Sequence, residues 1–562
     1  MISKAVRMGL LPGILAGLLQ ACSSQTSGPV ASAASAGQPS AQRVARFEET
    51  LHKHTKILAS DAFEGRAPAT EGEEKTVNYL QQAFAGLGLK PGNGDSYFQQ
   101  VPVAEITVDP SVTFEVEGGG YSASLKYGPQ MMVFTQRQQE VIEIKDSEMV
   151  FVGYGINAPE KNWNDYAGLD VRGKTVVILV NDPGFTTQDP AHFNGNAMTY
   201  YGRWTYKYEE AARQGAAAAL IIHETAPAAY PWEVVANSWA GPQINLQSPD
   251  KGASKLQAEG WLPLEQARAL LKASGQGYDS LKQAAARPGF KPIPLKTTLS
   301  TRLQNKIRYD RSRNVIAKLE GTRYPDEYIV YMAHWDHLGR DPSRDGDQIF
   351  NGAIDNATGT AGLLALAQAY QTAKPERSVV FISVTAEESG LLGSRYYGEN
   401  PIYPLNKTVA AINMDALGSI GPVKDITVIG YGFNQMQDYL AKYADLQDRY
   451  LVQDQNAEKG YYFRSDHFSL AKFGVPALYA EGGVDSVEHG KEWGRQQQEQ
   501  YTAERYHKPA DEYHQGLDLS GAAQDLELYY LIGNQLANSR DWPAWSEGSE
   551  FKLIREKSRS GM

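Results

Sequence analysis

The chain is nearly devoid of cysteine: there is one, Cys22, in 562 residues. A lone thiol excludes an intramolecular disulfide, so the fold must stand on packing alone. Beyond the N-terminus, no run approaches the roughly 20 apolar residues that a bilayer span requires. Long Lys/Arg blocks are also missing, and the net charge is −11. That balance argues against a nucleic-acid partner, which needs a concentrated basic surface. No internal repeat is visible. What remains is an ordinary globular composition, 42% hydrophobic and 21% charged, in a chain too long for one core.

The single cysteine sits at the end of a leader-like segment. Lys4 and Arg7 give a basic start, residues 8–19 are largely apolar, and Leu19-Gln20-Ala21-Cys22 follows. A secretory leader is the physical minimum. The arrangement resembles the lipobox of bacterial lipoproteins, which implies that residues 1–22 are removed or modified and that Cys22 carries lipid. Residues 23–43, rich in Ser, Ala, Gly and Pro, read as a flexible tether. The expected location is therefore outside the bacterial cytoplasm: an outer-membrane lipoprotein, the periplasm or the cell surface. Membrane contact is expected through the N-terminal lipid only.

Residues 71–89 have helical spacing, with Val77, Leu80, Phe84 and Leu87 near one face. Residues 101–299 change character, with alternating strands such as 112–116 and a short buried strand at 175–180. His192 and His223 in this stretch have no ligand spacing and read as structural. From residue 314 strands and helices alternate: strands at 314–319, 328–333, 378–385, 408–414 and 476–479, helices at 361–370, 391–397 and within 519–539. That alternation predicts an α/β fold with a mixed, mostly parallel sheet flanked by helices.

Chemistry-bearing residues cluster at the ends of these strands, where open α/β sheets gather ligands. His334 follows YIVYMA, Glu387 and Glu388 follow VVFISVTA, and Asp415 follows VAAINM. Asp355 lies in the glycine-flanked loop at 351–359, and His507 in the later loop at 506–511. Two histidines and several carboxylates make a ligand inventory for a pair of metal ions. Burying adjacent carboxylates at a strand end also demands a compensating cation. Asp341, Asp345 and Asp347 form an acidic loop that lacks the full EF-hand pattern and reads as solvated. His489 and His514 match nothing.

The segments AHWDHLG from Ala333, NGAIDNATG from Asn351, AEESGLLGS from Ala386, NMDALG from Asn413, SDHFSLAKFGVPA from Ser465 and YHKPAD from Tyr506 occur in one order. Together they resemble the co-catalytic zinc aminopeptidases of the aminopeptidase S and aminopeptidase Y type, metallopeptidase clan MH. LASDAFEGRAPATEGEEKTVNYL from Leu58 resembles that family's entry segment. The resemblance implies the zinc-exopeptidase (phosphorylase/hydrolase-like) fold and two Zn2+ per chain, with metal ligands His334, Asp355, Glu388, Asp415 and His507. Asp355 bridges the ions. Asp336 orients His334, and Asp511 supports His507. Glu387 is the general base for a bridging water. His337 is expected to point elsewhere. Asp466 and His467 belong to a pocket segment, and Tyr462 and Arg464 before it are candidate substrate contacts.

Residues 44–104 and 306–545 are then a discontinuous catalytic domain, and 546–562 a C-terminal tail. Residues 105–305 form an insert, and stretches from Val150 and Glu209 resemble a mostly-β protease-associated domain. The implied activity is an exported metallo-aminopeptidase acting on peptides with a free N-terminus. A carboxypeptidase or dipeptidase, a glutaminyl cyclase on the same fold, and a non-catalytic surface-binding protein remain as alternatives.

Overall fold

The computed structural model describes residues 38–560. The leader, Cys22 and nearly all of the expected tether lie outside the described residues. Order begins earlier than residue 44: the helix Ala41–Leu58 starts behind the cap Ser40, whose side chain accepts from the Arg43 amide at 3.3 Å. Among the described residues, no helix is long and apolar enough to cross a membrane.

A mixed sheet positions the candidate ligands. Its middle is parallel, in the order Arg377–Val384, Tyr324–His334, Thr408–Asn413 and Ala477–Gly482. On one flank Ile293–Leu319 pairs antiparallel with Arg377–Val384, followed by Phe98–Val108 and Pro242–Leu246. On the other, Asp425–Val428 runs antiparallel to Ala477–Gly482 and parallel to Tyr450–Gln453.

Successive residues of a strand face opposite sides, and this sheet is covered on both. Ile329, Tyr331 and Ala333 meet Leu363, Leu366 and Tyr529 in one core, while Val330 and Met332 meet Ile382, Tyr397 and Leu470 in another. Double coverage explains why the central strands read as continuous apolar runs. On the first side the helix Ala41–Leu58 packs against Gly359–Tyr370 and Ser520–Ala537. An ion pair between Arg43 and buried Glu527 ties it there.

A second sheet lies between residues 113 and 304. Val141–Phe151, Thr175–Leu179, Ala218–His223 and Ala258–Pro263 are successive parallel neighbours, with Met132–Phe134 antiparallel at the edge. Helices Trp204–Arg213 and Leu264–Ala273 pack on it. The 27-residue strand Ile293–Leu319 belongs to both sheets. The sequence boundaries at 104/105 and 305/306 thus fall inside paired strands, since Asn305 to Val315 are in register with Val108 to Phe98. Residues 546–562 are not merely a tail. The helix Lys552–Arg559 docks through Arg555, which donates to the carbonyls of Leu405 and Thr408 at 3.1 and 2.7 Å.

Candidate active site

Three parallel strands deliver side chains to one end of the sheet. His334 is the last residue of its strand, Asp415 follows Asn413 by two, and Glu387 and Glu388 follow Val384 by three and four. Asp355 comes from the loop ahead of the helix Gly359–Tyr370. His334 Nε2 lies 3.1 Å from Asp415 Oδ1 and 3.3 Å from Asp355 Oδ1. His507 Nε2 lies 3.1 Å from both Asp355 Oδ2 and Glu388 Oε2. Asp355 therefore stands between two histidine–carboxylate groups.

His337 corrects the sequence reading. It turns into the site, with Nδ1 2.7 Å from Glu388 Oε1, and its ring lies edge-on to His507 at 5.7 Å. Its buried Nε2 has no hydrogen-bond partner. Two groups satisfy the spatial requirement for a metal ion, His334–Asp355–Asp415 and His337–Asp355–Glu388, each with ligand atoms within 4.8 Å. Two residues, Trp335 and Asp336, separate His334 from His337, and the strand ends at His334.

The supporting residues are buried and specific. The Asp336 carboxylate accepts from the backbone amides of Glu387 and Glu388 at 3.1 and 3.4 Å. It is the Asp336 backbone carbonyl that lies 3.1 Å from His334 Nδ1, while the nearest carboxylate oxygen is 3.8 Å away. Asp336 thus holds the Glu387–Glu388 turn through its side chain and the imidazole through its main chain. Asp511 does not support His507; its carboxylate accepts from the amides of Ile354 and Asp355. The ring beside His507 is Tyr506, stacked at 4.0 Å. Ser465 donates to Asp415 Oδ2 at 2.6 Å and accepts from Asn413 at 2.7 Å.

Sequence reasoning missed Arg66, which lies in the FEGR stretch and is 1% exposed. Its Nε donates to the carbonyl of Trp335 at 2.9 Å. Nη1 reaches those of Leu58 and Asn351 at 2.8 and 2.6 Å, and Nη2 that of Gly352 at 2.8 Å. One guanidinium so joins the segment carrying His334 to the loop carrying Asp355.

The electrostatics show a site short of positive charge. Burial opposes a charge on His334, but Asp415, Glu387 and Asp355 outweigh it and hold the imidazole protonated well above 6.5. His507 behaves likewise, burial being overcome by Asp355 and Glu388, and is raised to about 10. Burial lifts the Asp336 carboxyl to about 7. Burial also lifts Glu387 well above its ordinary range; His334 opposes this, while Asp415, Glu388 and Asp466 add to it. Imidazole and carboxylate donors so arranged suit divalent zinc, and bound cations would relieve the crowding.

The site opens into a cavity of about 2200 Å³, larger than the roughly 300–1,000 Å³ typical of small-ligand pockets. Its lining includes Asp355, Glu387, Glu388, Asp415 and His507, and also Arg203, Trp204 and Trp239 of the second-sheet region. Of the candidate substrate contacts, Arg464 lines the cavity. Asp466, His467 and Tyr462 are 0%, 0% and 4% exposed and do not reach it. The helix His467–Ala471 turns its first residue inward, where the His467 ring packs between Tyr462 and Tyr479. These three shape the wall from behind. The acidic loop is a surface turn in which Asp341 accepts from Ser343.

Residues 314–529 match the sequence signature of peptidase family M28, a segment that contains every candidate ligand and Glu387. Among curated proteins, the chain is 33% identical over 138 residues to Aminopeptidase NAALADL1 of Mus musculus, covering 23% of this chain and 17% of that protein. It is 35% identical over 164 residues to a Glutamate carboxypeptidase 2 homolog of Caenorhabditis elegans, 25% and 20% of the two lengths. Aminopeptidase YwaD of Bacillus subtilis (strain 168) is 26% identical over 248 residues, 43% of this chain and 45% of that one. The chain thus spans about a fifth of the length of the first two relatives.

Proposed function

We propose that the chain is an exported metallo-aminopeptidase that removes N-terminal residues from peptides, holding two zinc ions. The observation that carries this reading is the placing of His334 against Asp355 and Asp415 and of His507 against Asp355 and Glu388, with Glu387 also on the cavity lining. His334 and Asp415 would hold one ion, His507 and Glu388 the other, and Asp355 both, while His337 steadies Glu388. When bound, the ions would acidify a water between them and polarise the scissile carbonyl.

The chain's own groups do the rest. Glu387 accepts a proton from the attacking water at its carboxylate. As the water oxygen bonds to the carbonyl carbon and the C–N bond breaks, that proton passes to the leaving nitrogen. The products are a free amino acid and a peptide one residue shorter. Asp336 keeps Glu387 in place through the peptide amides, and Asn356 does so for Asp415 by accepting from the Ala416 amide at 3.0 Å. The names of the mouse and Bacillus relatives support the amino-terminal direction. The inserted region, read as a protease-associated domain, contributes Arg203, Trp204 and Trp239 to the lining of the cavity. Export with a lipid on Cys22 is part of the same proposal, and mass analysis of the mature N-terminus tests it.

Purified protein should carry about two zinc ions per chain and cleave aminoacyl-nitroanilides but not their N-acetylated forms. Glu387→Gln should keep the metal and lose turnover by roughly 10²–10⁴-fold. An unchanged rate removes Glu387 from the mechanism. Arg464 and Arg203 on the cavity wall favour a second reading, a carboxypeptidase that binds a terminal carboxylate. Equal cleavage of amidated and free C-termini would dismiss it.

A further inference from the structure

Glu481 stands beside the site and serves none of the interactions described so far. It lies near the end of Ala477–Gly482, the strand next to the one that leads to Asp415. The register pairs Asn413 with Tyr479 in parallel. Just beyond this pairing Asp415 and Glu481 both line the cavity. On its far side Glu481 pairs with Thr427, and Thr427 with Val452. Paired residues of neighbouring strands share a face. All four line the cavity, as do Tyr479 and Ile429 in the row behind, where the Ile429 amide bonds the Tyr479 carbonyl at 3.0 Å.

The result is a short trough leading away from Asp415. Its sides are apolar or aromatic (Val452, Ile429, Tyr479), and the Glu481 carboxylate stands in it, with Asp454 also on the cavity lining. No hydrogen bond or basic group of the described residues offsets that carboxylate. Burial lifts it to about 8, with the charges of Asp415, Asp454 and Asp525 adding to the effect. Asp525 has its own cation in Arg449, at 2.7 Å; Glu481 has none. A side chain that is aliphatic along its length and cationic at its tip matches such a trough, because the stem covers apolar surface while the charge meets the carboxylate.

We propose that Glu481 selects substrates whose first residue is arginine or lysine. The inference rests on the aminopeptidase reading and supplies its substrate class. The guanidinium or ammonium tip meets the Glu481 carboxylate, and the methylene stem lies along Tyr479 and Ile429.

Two measurements on the zinc-loaded full chain and on Glu481→Gln test it. In the first, kcat/KM is compared for arginyl- and leucyl-nitroanilide. The Arg-to-Leu ratio should exceed one in the native protein and fall by about 10- to 100-fold in the variant, the worth of a charge-assisted contact. Equal losses on both substrates would assign Glu481 to the α-ammonium common to them and overturn the proposal. In the second, calorimetry compares L-argininamide with L-leucinamide. Tighter binding of argininamide that is lost in Glu481→Gln supports the trough even in a chain that hydrolyses neither substrate. Equal binding of the two amides overturns it. Absence of any hydrolysis by the native protein counts separately, against the aminopeptidase reading. Circular dichroism of Glu481→Gln confirms its fold, and Glu481→Leu, with the same expected loss of arginine preference, serves where the glutamine variant is poorly folded.

Discussion

Replacing Arg66 should damage stability and metal binding together. Its guanidinium donates to four backbone carbonyls, of Leu58, Trp335, Asn351 and Gly352. Hydrogen bonds from a charged group contribute about 1.5–3 kcal/mol each, so the gross value is roughly 6–12 kcal/mol. Desolvating the guanidinium cancels several kcal/mol of that, leaving about 3–5 kcal/mol when one side of a buried charged contact is removed. Against a total stability of about 5–15 kcal/mol, Arg66→Met stands at the edge of folding. Arg66→Lys is the measurable variant. An ammonium is one point with three donors and cannot span the four carbonyls, so about 3 kcal/mol should be lost. Trp335 lies between His334 and Asp336, and Asn351 and Gly352 lead into Asp355, so zinc affinity should fall about 10- to 100-fold, as for other outer positioning groups. Urea unfolding of metal-free protein and competition with a chromophoric chelator give the two numbers. An unchanged midpoint with unchanged zinc affinity in Arg66→Lys refutes the reasoning; lost stability at constant affinity refutes the claim that Arg66 positions the ligands.

Three shorter tests follow. His507→Ala should lower the zinc content by one ion per chain, whereas His337→Gln should retain both ions with one bound roughly 10-fold more weakly; the reverse result makes His337 the ligand. Ser465→Ala removes the 2.6 Å bond to Asp415 and should weaken zinc binding by about 10-fold while costing only about 1 kcal/mol of stability, which chelator competition and urea melts separate. His467 is fully buried and its pKa is lowered by burial from 6.5 to about 3. Only the unfolded chain takes up a proton between those values, so this contribution to stability is complete above pH 6.5 and is lost as pH falls towards 3. His467→Gln should lose about 2–3 kcal/mol less than the native protein between pH 7 and 4.5; parallel urea-midpoint profiles of the two proteins would contradict the assignment.

The strand ends were legible because doubly covered parallel strands are unbroken apolar runs, and a charged residue after such a run has few places to go. His334, Glu387, Glu388 and Asp415 were found that way. Arg66 was not, since its partners Trp335, Asn351 and Gly352 lie some 270–290 residues away and backbone carbonyls leave no mark on a sequence. The direction of His337 was not legible because the strand ends at His334, and past a strand's end no alternation fixes which way a residue faces. Asp466 and His467 were misassigned for the opposite reason. Nearness in sequence to Ser465, which does bond a ligand residue, says nothing about which way the next turn of helix faces. The boundary at residue 305 had no composition shift to mark it, because one strand carries the chain from sheet to sheet.

That shared strand limits how the cleft can discriminate. The two sheets are joined by Ile293–Leu319, and residues 305–315 of it are zipped along Phe98–Val108. The same strand ends beside the chemistry: Asn314 Oδ1 accepts from the Thr385 amide at 3.0 Å, two residues before Glu387, and Nδ2 donates to the Gly393 carbonyl. Displacing the strand would therefore disturb the segment that carries the base. Under the proposed function, selection among peptides would fall to groups on the cavity wall, and Glu481 on that wall would read the first side chain.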